Sequence, residues 1–485
     1  EMLPGFFIWA TLGVVVGLAV VRPVTGLYVL LAFDLLWLFR MYYLLLHITV
    51  AWRRYRRCLR RDWLAELSAT YLGNWREYWH LVVLPTYREP YEIIQRTLRS
   101  LASSRYPLDR LIIVLGGEER DLTNFREVGR QAHDEFGRVF FRLLTSVHPA
   151  GQPGEIPGKG SNLRHAGKSA QRLLDELGIA YDRVIVSSFD VDTCPHPQYF
   201  ALLTATYLRQ DDPTRASYQP IAVYTNNVWE SNPLIRLVAG TTTFWLLTDL
   251  ARPDRLFTFS SHSMSFKTLA AVGFWDPTVV TEDSRIFLQC LMYYRGDYRV
   301  VPIYLPVAMN TVDVGRFWRS LTNQYRQVRR WAWCAEHFPW MLVRFWGHRD
   351  STGFPVFQRL RYLWNLTEGI YSWATAPWLI FVGSQLTVIL ARWHGEGAVA
   401  DVAAAQLAVM AWFGLAGLAL FSMFYLSMLP PARGPRMVNY LSVLLQWLLM
   451  PLTLVALGAL PALESQTRLM LGGRCRLGFD VTEKT

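Results

Sequence analysis

The chain has 485 residues, 52% of them hydrophobic, with 20 Trp and a formal net charge of +11. That length exceeds one ordinary domain, and the apolar share rules against a disordered or wholly water-dissolved chain, so a two-part architecture with one part in lipid is expected. The cysteines Cys58, Cys194, Cys290, Cys334 and Cys475 stand far apart with no Cys-x-x-Cys pair, which gives no sign of a zinc site or disulfide framework and fits a reducing compartment.

Met2–Val21 is an uncharged run of about membrane-spanning length, and 24–52 is a second candidate despite Asp34 and Arg40. Because that second segment follows almost at once, the first reads as a span rather than a cleaved signal peptide. Arg53, Arg54, Arg56, Arg57, Arg60 and Arg61 come directly behind it, opening a basic juxtamembrane segment, 53–77. By the positive-inside rule this cluster is cytoplasmic, and its place against a span makes lipid headgroups, not nucleic acid, its partner.

From 78 to 314 apolar runs of strand length alternate with charged, helix-like segments, which predicts a cytoplasmic α/β domain. Residues 80–85 read as a strand ending in the turn Pro85-Thr86-Tyr87-Arg88-Glu89-Pro90, and 91–103 follow with helical spacing. A second strand, 111–115, runs into Gly116-Gly117-Glu118-Glu119-Arg120, and a third, 184–188, ends just before Asp190. Ligands of open α/β sheets gather outside the carboxyl ends of strands, so these ends describe one pocket, with Thr86, Glu89, Glu118 and Glu119 as candidate donor-binding residues.

Residues 315–366 mix Trp, Phe and Arg as amphipathic helices at a membrane interface do. Two further spans are expected within 367–429, at 369–391 and 402–429, with Arg433 and Arg436 marking a cytoplasmic return. The run 437–463 is long enough to span, yet a third crossing here would carry the segment 472–485 to the far side. Broken by Pro451 and Pro461, it is expected to lie along the interface or re-enter within 430–471, leaving about four crossings. Asp34 is the acid within a candidate span, with Arg40 as its expected partner; alone it is thin support for a transporter.

Asp190 and Asp192, with Val191 tucking back between them, can hold Mg²⁺ or Mn²⁺, hard cations that bridge the two phosphates of a nucleotide diphosphate. A solvated surface turn is the plain alternative. Asp283 in Thr281-Glu282-Asp283 is the candidate general base for taking a proton from an acceptor hydroxyl. The same run also reads as the first turn of a helix, with Glu282 as a helix-start or acceptor-side residue. Gln327, Arg330 and Trp331 fall on one helix face, where a guanidinium can clamp phosphate and an indole can carry a sugar ring. Membrane anchoring is the rival use, given Trp333 and Trp340. Gly158-Lys159-Gly160-Ser161-Asn162 is a polar glycine loop suited to phosphate or sugar hydroxyls. Trp229 and His262 lie in tracts between the metal and base motifs and are candidates for the acceptor side, or else packed strand edge and loop.

Together these residues resemble the processive branch of glycosyltransferase family 2, which holds cellulose, hyaluronan and chitin synthases and mannan synthase-like proteins. The resemblance covers about residues 80–340 and the last few residues. It implies a GT-A fold with a Rossmann-like nucleotide half in a mixed sheet, a divalent metal, and a UDP- or GDP-sugar donor. By this likeness Asp190 and Asp192 match the metal and diphosphate motif, Asp283 the base, and Gln327, Arg330 and Trp331 the motif beside the acceptor entrance. Lys159 and Asn162 match the donor loop. Phe479-Asp-Val-Thr482-Glu-Lys484 resembles a gating loop that closes over nucleotide. The aspartate usual after the second strand is absent, Gly116-Gly117-Glu118-Glu119 standing there instead, so the nucleotide is left open. The resulting expectation is a multi-pass enzyme of the plasma membrane that elongates a β-linked polysaccharide, with secretion between the spans; the alternative is single transfer to a lipid or lipid-linked acceptor.

Overall fold

The computed structural model describes residues 1–71, 74–347, 353–432 and 436–477. Eight strands form one mixed sheet: β1 (Trp79–Pro85), β2 (Leu111–Glu118), β3 (Arg142–His148), β4 (Val184–Ser188), β5 (Cys194–Pro195), β6 (Ala216–Val223), β7 (Ser263–Ser265) and β8 (Arg299–Ala308). Their order is β3-β2-β1-β4-β7-β6-β8-β5. The half β3-β2-β1-β4 is all parallel, whereas β7 runs antiparallel to both β4 and β6. This is the expected mixed sheet with a Rossmann-like half.

Every residue of β2 and β4 is buried, as are His80–Leu84 of β1. Unbroken apolar runs of this kind suit parallel strands covered on both faces. The helix Tyr91–Ala102 supplies part of the cover, burying Ile93, Ile94, Thr97, Leu98 and Leu101 at helical spacing. The chain steps from β1 to β2 on one side, and β4 joins β1 on the other. The crevice between β1 and β4 is therefore a topological switch point, where open α/β sheets bind ligands. Thr86 and Asp190 lie just past its two strand ends.

Among the described residues, five helices are long and apolar enough to cross a membrane: Met2–Val21, Pro23–Leu59, Val356–Trp393, Gly397–Leu426 and Met437–Leu471. Their outer faces keep Phe6, Leu36, Phe39, Trp412 and Met437 exposed, as lipid contact would require and water would penalise.

Four details differ from the sequence expectations. The second helix runs on to Leu59, so Arg53, Arg54, Arg56 and Arg57 ride on it instead of following it. The helix beginning at Val356 continues through the expected boundary at 366 to Trp378, and a π-helical turn, Leu379–Gly383, follows Pro377. The last apolar run, expected to be broken at Pro451 and Pro461, is helical through both, with a π-helical turn at Leu454–Ala459 between them. Arg40 does not partner Asp34: Ser384 Oγ donates to Asp34 Oδ2 at 2.7 Å, while Arg40 pairs with Glu368, which also holds Arg255 at 2.7 Å. Six residues at 100° each leave Asp34 and Arg40 well apart around their helix.

The helix Phe317–Ala332 joins the two parts. It buries Ser320, Asn323, Gln324, Val328 and Ala332, and on Leu460–Leu471 Glu464 accepts from Tyr325 Oη at 2.6 Å and Arg329 Nη1 at 2.8 Å.

Candidate functional site

At the end of β4 the chain alternates inward and outward. Phe189 and Val191 are buried, and Asp190 reaches the crevice with about a fifth of its side chain exposed (21%). Asp190 Oδ1 accepts from Lys159 Nζ at 2.8 Å and Oδ2 from Ser260 Oγ at 2.7 Å. Asp192 is buried; its Oδ2 accepts from the Asn310 backbone N–H at 3.0 Å.

Lys159 is the hub. The expected glycine loop is in fact the start of the helix Lys159–Glu176. Lys159 Nζ also meets Asp283 Oδ2 at 2.6 Å and Glu282 Oε1 at 3.4 Å. Gly160 permits this approach, since a Cβ there would stand 2.9 Å from Asp276 O and 3.2 Å from Glu282 Cβ. Burial alone would pull the Lys159 ammonium down, but Asp190, Asp283 and Glu282 reverse that and hold it well above the ordinary lysine value.

Glu282 and Asp283 open the helix Glu282–Tyr293. The helix-start and acid-site readings of this run therefore coincide, because a helix N-terminus favours negative charge. Burial, then the neighbouring Asp283 charge, pushes Glu282 up to about 7. Asp283 Oδ1 is buried and takes no hydrogen bond among the described residues; His262 Nδ1 lies 3.8 Å away. That nitrogen is 2.9 Å from Phe259 O, and burial holds the fully enclosed imidazole below its ordinary value, hence neutral.

The remaining sequence candidates divide between this cluster and its surroundings. Trp331 stands 6.4 Å from Tyr224, ring to ring. Burial and then the charge of Asp190 raise the Tyr224 phenol, with Arg330 opposing, and Arg330 also acts on Glu282. Gln327 Oε1 accepts from Gln324 Nε2 at 3.0 Å. Glu89 shapes the turn after β1, accepting from Thr86 Oγ1 at 2.8 Å and Tyr87 N at 2.6 Å. Glu118 pairs with Arg120, and Glu119 Oε2 accepts from Ala150 N at 2.7 Å. Asn162 Nδ2 donates to Gly116 O at 2.9 Å, binding the Lys159 helix to β2. Trp229 Nε1 donates to Pro430 O at 3.2 Å and its ring meets Tyr440 edge-on. Thr482 and Lys484, with Phe479, lie outside the described residues.

Sequence reasoning missed Glu336 and His337. Thr281 Oγ1 donates to Glu336 Oε1 at 2.6 Å, and Ser284 Oγ is 2.8 Å from His337 Nε2. Both fix the helix turn that carries Asp283, and neither belongs to a motif that could have announced them.

Among the described residues no group of three or more His, Cys, Asp or Glu could hold a metal ion alone. The donor chemistry nonetheless suits Mg²⁺ or Mn²⁺, which bind proteins through one or two carboxylates and take other ligands from substrate phosphates and water. Asp190 already gathers a cation, the Lys159 ammonium, with Glu282 and Asp283.

No protein-family model matches the chain, and no curated protein matches it. Among solved structures it is similar to the mannosyltransferase PcManGT from Pyrobaculum calidifontis in complex with GDP-Man and Mn2+, at 16% identity over 86% of this chain and 99% of that one, with a TM-score of 0.45. It is also similar to S. aureus TarS 1-349 in complex with UDP-GlcNAc, at 14% identity over 67% of this chain and 89% of that one, with a TM-score of 0.33.

Proposed function

We propose that this chain is a membrane-embedded, metal-dependent inverting glycosyltransferase, of the family 2 type, that moves a sugar from a nucleotide-diphosphate donor to a growing polysaccharide at the cytoplasmic face of the plasma membrane. The observation that carries the reading is the meeting of Asp190 and Asp283 on one lysine ammonium, at 2.8 and 2.6 Å, beside a strand-end crevice. Donor-side and acceptor-side carboxylates are thereby held within one sugar's reach of each other.

Asp190 and Asp192 would hold the divalent cation, which when bound supplies Lewis-acid relief of charge on the departing diphosphate. Lys159 holds Asp283 in place and adds positive charge on the phosphate side. The acceptor hydroxyl gives its proton to Asp283, its oxygen bonds to the anomeric carbon, and the bond from that carbon to the diphosphate breaks. With one base and no covalent sugar–protein intermediate, the anomeric configuration inverts. Trp331, half-buried beside Tyr224, offers the flat apolar face on which an acceptor sugar rests.

A second reading is single transfer to a lipid or lipid-linked acceptor. It is favoured by a cavity of about 220 Å³ among the apolar helices, lined by Phe7, Thr11, Phe338, Tyr371 and Gln466 among others. Phe338 directly follows His337, which touches the Asp283 helix turn.

The test is release of nucleotide diphosphate from UDP-, GDP- and dTDP-sugars by the full chain in lipid nanodiscs with Mg²⁺ or Mn²⁺, with Asp283→Asn in parallel. A ladder of sugars that vanishes in the variant supports the polymerase, and a single glycolipid supports the second reading. Nucleotide binding without turnover of any donor would overturn the role given to Asp283.

A further inference from the structure

The end of β2 carries a feature that the transfer chemistry does not use. Glu118 is 3% exposed, and both Nε and Nη2 of Arg120 reach its Oε2, Nε at 2.8 Å. The guanidinium lies over Tyr87, 4.7 Å from the ring centroid, in the turn that follows β1. A fork of donors and a carboxylate thus stand side by side on the wall of a cavity of about 40 Å³, closed by His148 and the loop that leads into Lys159. That space admits the edge of a base, not a whole ring. Glu119 pins the loop through Ala150 N at 2.7 Å. Only β1 separates β2 from β4, so Glu118 stands about two strand spacings, ~10 Å, from the Asp190 end of the crevice. A ribose and its phosphates bridge such a gap.

We propose that Glu118 and Arg120 select guanine, making the donor a guanosine-diphosphate sugar; this rests on reading the acid cluster as a nucleotide-sugar site. Along one edge guanine presents a carbonyl acceptor, a ring N–H and an amino group, in that order. A carboxylate takes the two donors and an adjacent guanidinium takes the carbonyl, which the Glu118–Arg120 pair offers without rearranging the backbone. Uracil presents a single N–H between two carbonyls, so the second carboxylate oxygen would face a carbonyl lone pair. Adenine would set its ring-nitrogen lone pair against the carboxylate. In a site this buried, one lost bond and one repulsive contact both count against the wrong base.

The experiment is calorimetric titration of the full chain in nanodiscs with GDP, UDP and ADP, in Mn²⁺ and without acceptor. GDP is expected to bind about ten- to a hundredfold more tightly than the other two, the worth of a hydrogen bond to a charged group. Glu118→Gln presents one acceptor and one donor, which complement uracil, so its preference is expected to move toward UDP. Retained UDP binding then also shows that the variant is folded. Should that variant not fold, Arg120→Met, at a side chain 35% exposed, carries the test with an expected loss of about tenfold for GDP. UDP or ADP binding as tightly as GDP to the unaltered chain would overturn the guanine assignment and leave the glycosyltransferase reading standing. Binding of none of the three would overturn both.

Discussion

Replacing Lys159 with Met removes a cation shared by three carboxylates, at 2.6 Å from Asp283, 2.8 Å from Asp190 and 3.4 Å from Glu282. Near a protein surface, a unit pair at about 4 Å interacts by about 4 kcal/mol at an effective dielectric constant of about 20. Asp190 and Asp283 are about one-fifth exposed (21% and 20%), and screening cuts the figure to roughly 2 kcal/mol per pair. One pH unit corresponds to about 1.4 kcal/mol. Lys159 is among the influences that keep Glu282 from rising beyond about 7, so without it the acid cluster keeps a proton to higher pH. Turnover that needs the cluster deprotonated should then show its acid limb displaced upward by about one to two pH units. The assay is diphosphate release across pH 5.5–9.5 at saturating donor and Mn²⁺, comparing Lys159→Met with the unaltered chain. At pH 7, where the unaltered cluster is about half deprotonated, the variant should be roughly 5- to 50-fold slower, recovering toward pH 9. A uniform loss at every pH, with the acid limb unmoved and KM for donor raised, would refute this: Lys159 would then serve phosphate binding and not the charge state of the cluster.

Glu282→Gln removes a carboxyl whose folded-state value, about 7, lies above its ordinary 4.5. The native state therefore binds that proton more tightly, so stability falls as pH rises from about 4.5 through 7. The variant escapes this loss and should be more stable than the unaltered chain at pH 8 by up to ~3 kcal/mol, with no difference at pH 4.5; thermal unfolding in nanodiscs at both pH values checks it, and a gap independent of pH would contradict it. Asp283→Asn should lower kcat by about 10²–10⁴ while leaving GDP or UDP affinity within a few-fold, read by stopped-time turnover and calorimetry on the same preparation. A comparable fall in nucleotide affinity would move Asp283 from the acceptor side to the donor side.

Much of the sheet was legible because its inner strands are unbroken apolar runs. Val184–Ser188 stands where expected, and Val191 tucks inward between the two aspartates. The edges were harder. β3 mixes buried, half-buried and exposed residues without a regular period and begins at an exposed Arg142, and β8 contains Pro302 and Pro306, residues that argue against a strand. Pro302 pairs in register with Gln219, and the β6–β8 register becomes irregular between Ile303 and Pro306, opposite Pro220 and Ile221. The acids of the site were legible as short motifs, but the lysine joining them was read as part of a loop. Glycines at 158 and 160 weaken helix propensity, and only tertiary packing explains Gly160, whose missing Cβ lets the helix meet Glu282. Similarly, a partner for Asp34 was sought within its own helix, while the observed one, Ser384, lies on another.

The run Met437–Leu471 has the length and apolarity of a crossing helix, yet its contacts bear on whether it crosses. Near its beginning, Tyr440 meets Trp229, and Ser442 and Gln446 accept from Arg236 at 2.8 and 2.6 Å. Near its end, Glu464 accepts from Tyr325 and Arg329 at 2.6 and 2.8 Å. Trp229, Arg236, Tyr325 and Arg329 all belong to the part that carries the acid cluster and its flanking helix. A segment that crossed a bilayer of about 30 Å would carry one end away from that part, whereas this one touches it near both ends. Its exposed Leu441, Leu445, Leu448 and Leu452 would then rest in the leaflet on the side of the acid cluster. Cys475 would then remain on the same side as the acid cluster. In a chain retaining only that cysteine, a membrane-impermeant maleimide should label inside-out vesicles and spare intact cells. The opposite pattern would make the segment a full crossing and remove any role for Thr482 and Lys484 at the site.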